Sequence, residues 1–179
     1  MGAKIALFRA VNVGGRKIIM TELKAMFEDI GLGPAQTLQA AGSVVFHGQG
    51  EDAELETRLE AQTLAQFGMV SEVFVRGPKE WGQIIANNPF ADAARDRPSR
   101  LAVIPLKGLP TPGGAEGLTA GAKDGELVGT YGRCAYAYYP IGMGLTKLTP
   151  KLIERALGSP GTARNWNTTI TLAGLVDAS

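Results

Sequence analysis

Cysteine and histidine are almost absent from this chain of 179 residues: Cys134 and His47 each stand alone. A single thiol cannot form an intrachain disulfide, which fits a reducing compartment. A single histidine makes any Ser-His-Asp arrangement depend on His47. A histidine-based zinc site would need Cys134 or carboxylates at a metal-ligand spacing that the chain does not show. Charge of one sign is lacking too. Lysines and arginines number 18 against 17 acidic residues, a net charge of +1, which argues against bulk attraction to nucleic acid or to a membrane surface. Any anion site must therefore be local. No apolar run approaches the length of a bilayer span, and Met1-Gly2-Ala3-Lys4 leads into a strand-like segment without a signal-peptide pattern. The cytoplasm is the expected location. No metal and no cofactor is called for, and the oligomeric state is not legible.

Glycine is plentiful, at 24 residues, and hydrophobic residues make up 45%. Most glycines lie beside breaks in the apolar pattern, as turn and cap residues do. Residues 4–11 read as a mostly buried strand, followed by a turn from Asn12 to Lys17. Thr21 is placed to cap a helix carrying Leu23, Met26, Phe27 and Ile30. Residues 35–40 and 43–47 form two strands around Ala41-Gly42, with Val44 and Phe46 on one face and Val45 on the other. Asp52 is placed to cap a second helix through Leu55 and Leu59 to Phe67, and residues 71–76 form another strand. The order β-α-β-β-α-β is that of a ferredoxin-like unit.

A short helix with Trp81, Ile84 and Ile85 follows, ended by Asn87-Asn88-Pro89, and residues 90–99 read as a solvated, mixed-charge connector. The rhythm then repeats: a strand at 100–106, a weak helix to about Ala120, a hairpin at 125–131 and 134–139, and a helix begun by Thr149-Pro150 and ended by Gly158. A short C-terminal helix runs to about Val176. The fold class is α+β: two ferredoxin-like subdomains with antiparallel sheets and helices packed on one face. The first covers residues 1–77, and residues 78–179 form the second with its C-terminal helix.

No motif of established chemistry emerges. Gly142-Met-Gly144-Leu-Thr-Lys147 has the flavour of a phosphate loop with the wrong spacing. Cys134 reads as a buried, inert thiol, and Asp124 and Glu126 as two solvated carboxylates of a hairpin. The strongest local candidate is Arg9, Asn12, Gly14, Gly15, Arg16 and Lys17. A strand leads there into a Gly-Gly turn flanked by three cations, and such turns direct successive backbone N–H groups at an anion. The plain alternative is a tight crossover turn with basic residues in solvent. A second candidate is Arg164 and Asn165, able to surround a polar ligand; the plain reading there is a packed Trp166, with Asn167 or Thr168 capping the last helix. Whether the chain is an enzyme is not legible. The favoured reading is a binder of a small anionic or nucleotide-like ligand. RNA binding on a ferredoxin-like sheet, with Phe8 and Phe46 as stacking aromatics, is a competing reading that the net charge does not support. A protein-interaction or oligomerisation module is a third.

Four segments carry a resemblance: Phe8-Arg-Ala-Val-Asn-Val-Gly-Gly15, Gly42-Ser-Val-Val-Phe46, Asn88-Pro-Phe90 and Thr162-Ala-Arg-Asn-Trp-Asn-Thr168. Together they resemble the bacterial family of unknown function DUF1697. The resemblance implies two ferredoxin-like subdomains and no established activity. Two departures stand out. Ala10 replaces the family's usual glycine, and Ala41-Gly42-Ser43 replaces Ser-Gly-Asn.

Overall fold

The computed structural model describes residues 2–12, 14–15, 17–38 and 42–179. Among them the order is β1 (Gly2–Phe8), α1 (Met20–Asp29), β2 (Ala35–Leu38), β3 (Ser43–Gly48), α2 (Asp52–Phe67), β4 (Val73–Arg76), α3 (Pro78–Ala86), α4 (Ala91–Asp96) and β5 (Leu101–Pro105). Then come α5 (Gly114–Gly121), β6 (Leu127–Tyr131), β7 (Cys134–Tyr138), α6 (Pro150–Leu157), β8 (Arg164–Asn165) and α7 (Trp166–Asp177). The chain divides into two units, Met1–Gly82 with Leu172–Ser179, and Gln83–Thr171.

Each unit holds a four-stranded antiparallel sheet, in the orders β2-β3-β1-β4 and β6-β7-β5-β8. These are the same order, shifted by one βαββαβ repeat, and both are ferredoxin-like. Strand alternation decides which residues meet the helices. In the first unit Ala6, Phe8, Val44, Phe46, Val73 and Val75 form one core with Leu23, Met26 and Phe27 of α1 and Leu55 and Leu59 of α2. The ring of Phe27 lies 6.0 Å from that of Phe8 and 5.1 Å from that of Phe46. In the second unit Ala102, Ile104, Ala135 and Ala137 pack with Ala115, Leu118, Ile153 and Leu157.

Helix termini follow side-chain chemistry only in part. Thr149 Oγ1 accepts from the Leu152 amide, Pro150 opens α6, and Gly158 ends it at φ 67°. Two other expected caps, at Thr21 and Asp52, do not form. Met20 already begins α1, so Thr21 lies inside the helix, and the N-cap is Ile19. Asp52 is the first residue of α2, not its cap; its carboxylate instead pairs with Lys4 Nζ at 2.7 Å. The expected connector over 90–99 is partly helical. In α4 Arg95 bonds Asp92 and Asp96 at 3.0 and 2.8 Å, exposed pairs that add little to the stability of a short polar helix.

Helix carboxylates also line one edge of each sheet. The amides of Val73 and Val75, on the outer side of β4, donate to Glu60 and Glu56 of α2 at 2.9 and 2.8 Å. Glu56 also meets the buried Arg76 at 3.4 Å, and Glu80 meets it at 3.3 Å. In the second unit Glu154 of α6 accepts from the Gly161 amide at 3.2 Å, beside the bridge from Leu106 to Gly161. Carboxylates one helical turn apart thus occupy donors that an edge strand would otherwise expose.

Candidate functional site

The loop between β1 and α1 is anchored at its start by Ser71 and Glu72 and closed by the Asn12 side chain. Arg9 leaves the sheet with its amide bonded to Glu72 O at 2.9 Å, while Ser71 Oγ donates to Arg9 O at 2.7 Å. The Arg9 guanidinium meets Glu72 at 2.7 Å, with both side chains part-exposed. Ala10 then turns at φ 56°, in the left-handed region where an L side chain is strained. That is the position where the resemblance places glycine. Asn12 closes the loop, its Oδ1 accepting from the Ile18 amide at 3.0 Å.

Gly14 and Gly15 follow at φ 65° and 83°, both exposed. A Cβ on either would meet nothing within 4 Å. Backbone conformation, not crowding, thus calls for glycine at these two positions. Lys17 is exposed and takes part in no ion pair among the described residues. Arg16 lies outside the described residues.

The neighbouring turn is held differently. Gly42 sits at φ 72°, its carbonyl accepts from the Phe8 amide at 2.8 Å, and a Cβ there would fall 2.6 Å from Val11 Cγ2 and 2.9 Å from Phe8 Cβ. Gly42 is therefore the seat on which the β1–α1 loop rests. Ala41, the neighbouring departure from the family pattern, lies outside the described residues.

Arg164 and Asn165 belong to the second unit. Arg164 pairs with Val103 across β5 and β8, is 8% exposed, and donates from Nη1 to Thr162 Oγ1 at 3.0 Å and Ala163 O at 2.8 Å. Burial lowers its pKa to about 10. Asn165 caps α7, with Oδ1 accepting from the Thr168 amide at 2.9 Å. The expected caps Asn167 and Thr168 lie inside that helix, because it begins at Trp166 directly off the short strand.

Other readings change with the side chains in place. Phe8 and Phe46 are wholly buried against the helices, so neither offers a face for base stacking. His47 is half-buried, with Nδ1 3.3 Å from Pro34 O. Cys134 is buried. Glu126, expected in solvent, is a buried residue, 2% exposed. It accepts from Thr146 Oγ1 and, at 3.0 Å, from the Asp124 amide, and these bonds, the Thr146 hydroxyl first, lower its pKa. Sequence reasoning missed it because Thr146 arrives from a loop 20 residues on. Nearby Tyr139 is raised to about 12 by burial and by the charge of Glu126. Among the described residues no group of three or more His, Cys, Asp or Glu side chains could hold a metal ion, and no helix is long and apolar enough to cross a membrane.

With β1, the glycine turn, Gly42-Ser43 and the Asn88-Pro89-Phe90 segment in place, the comparison with known families becomes decisive. The family model described as "Protein of unknown function (DUF1697)" matches residues 1–136. The chain belongs to the DUF1697 family. The Thr162–Thr168 segment lies beyond the matched span. Among solved structures, a conserved bacterial protein from Streptococcus pneumoniae is similar over 97% of this chain and 98% of its own, with 19% identity and a TM-score of 0.70. That likeness concerns the fold. No curated protein matches the chain.

Proposed function

We propose that this DUF1697 protein binds a small anionic or nucleotide-like ligand at the turn of Arg9, Asn12, Gly14, Gly15, Arg16 and Lys17. The observation that carries the reading is the pair of exposed left-handed glycines with open space above them. Bare backbone N–H groups at such a turn attract anions, since no side chain shields them. Two features support it further. The Asn12–Ile18 hydrogen bond holds the loop closed before any ligand arrives, which lowers the ordering cost of binding. Lys17 brings a positive charge that no carboxylate among the described residues neutralises. Arg9 is anchored by Glu72 and acts in this reading as the rigid side of the turn. Arg164 and Asn165, the second candidate, hold hydrogen bonds of their own in the second unit.

Thermal-shift and calorimetric titrations with inorganic phosphate, AMP and citrate test the proposal. At least one probe should raise the melting temperature of the wild type. Lys17→Ala should leave the unliganded melting temperature unchanged and weaken that probe by about fivefold to tenfold. If no probe shifts the wild type, or if Lys17→Ala binds as tightly as wild type, the reading fails.

A further inference from the structure

The second unit contains a cleft that the glycine-turn reading does not use. It has a volume of about 230 Å³ and is lined by Gly117, Leu118 and Gly121 of α5, then Lys123, Glu126, Lys147, Leu148 and Leu152. One wall comes from the segment at 139–149 between β7 and α6. At the same place in the first unit only residues 49–51 join β3 to α2. The longer segment supplies Thr146, which bonds Glu126, and also Lys147 and Leu148.

Three observations converge there. Glu126 is a buried residue whose carboxylate is held by neutral donors, the Thr146 hydroxyl, its own amide and that of Asp124, and among the described residues no cation pairs with it. Its hydrogen bonds keep it charged, and each carboxylate oxygen keeps capacity for another donor. Lys123 and Lys147 on the rim are exposed and form no ion pair among the described residues. Gly117 and Gly121 are one helical turn apart, and a Cβ on either would meet nothing within 4 Å. Glycine within a helix costs about 1 kcal/mol relative to alanine. At Gly117 neither crowding nor a left-handed backbone accounts for it, so its effect is to leave the cleft wall bare.

We propose that this cleft takes a small zwitterionic ligand, an α-amino acid with an apolar side chain. Its ammonium group meets Glu126, its carboxylate meets Lys123 and Lys147, and its side chain lies on Leu118, Leu148 and Leu152. The site stands independently of the glycine turn.

Calorimetry on the full chain uses L-leucine and two one-ended analogues: L-leucinamide, which lacks the carboxylate, and 4-methylpentanoate, which lacks the ammonium group. L-Leucine should bind, and each analogue should bind at least about tenfold more weakly. Glu126→Gln should weaken L-leucinamide more than 4-methylpentanoate. Gly117→Leu should fill the cleft and abolish L-leucine binding while melting no lower than wild type, with the response of the glycine turn to phosphate, AMP or citrate intact. No heat with L-leucine, an analogue that binds equally well, or L-leucine binding retained by Gly117→Leu would overturn the proposal.

Discussion

The two units share one strand order and differ in what they place between sheet and helices. The first fills that layer with Phe8, Phe27 and Phe46, and the second with Ala102, Ala135 and Ala137. The helices of the second unit also pack closely on each other: a Cβ on Gly114 of α5 would lie 2.5 Å from Ala156 O of α6. Topology therefore rests on the alternation of strands and the placement of turns, while core volume is adjusted separately in each repeat. The loops diverge along with the cores. The first unit elaborates the connection after β1, where the glycine turn lies, and the second elaborates the one after β7, beside Glu126. Each repeat carries its candidate site on the connection that its twin keeps shorter.

The edge carboxylates offer the largest contrast. Glu56→Ala leaves the buried Arg76 without one of its carboxylate partners and the Val75 amide without its acceptor, and should cost about 3 to 5 kcal/mol in urea denaturation. Glu154→Ala removes the corresponding bond to Gly161 from a half-buried side chain and should cost about 1 kcal/mol. Equal losses would show that the two edges are closed with equal force and that the difference in burial is immaterial.

The turns between the second and third strands of each repeat give the next contrast. Gly42 and Gly132 both have positive φ, but only Gly42 is crowded; a Cβ on Gly132 meets nothing within 4 Å. Gly42→Ala should cost about 3 kcal/mol through strain and overpacking together. Gly132→Ala carries the strain alone, about 1 kcal/mol. Thermal melts of the two variants make the comparison directly.

The smallest effect should be a gain. Ala10 sits at φ 56° on an exposed turn, and Ala10→Gly should stabilise the protein by about 0.5 to 1 kcal/mol once the added freedom of the unfolded chain is subtracted. A loss on this substitution would mean that the loop after β1 tolerates its strain through contacts the methyl group makes.

Much of this architecture was legible from local pattern. The apolar alternation of Val44, Val45 and Phe46, the helical spacing of Leu23, Met26 and Phe27, and the Thr149-Pro150 start each act within a few residues, where periodicity and capping chemistry suffice. The readings that changed depend on distant partners. Asp52 does not cap because Lys4 claims its carboxylate, and Glu126 is buried because Thr146 reaches it from another loop. The same limit applies to the glycine turn. Its conformation followed from residue type, but the anchoring of Arg9 by Glu72 joins residues 63 positions apart. No spacing rule announces such a pairing.

The composition of the first unit bears on how the protein is made. Residues 172–179 belong to it although they are synthesised about ninety residues after Gly82. At ribosomal rates of roughly 5 to 20 residues per second, the sheet of β1 to β4 waits on the order of 5 to 20 s for its last segment. During that interval the emerging second repeat, with the same strand order, is the nearest competitor for its edges. Carboxylates already bonded along β4 would guard a half-finished domain against pairing with its own twin.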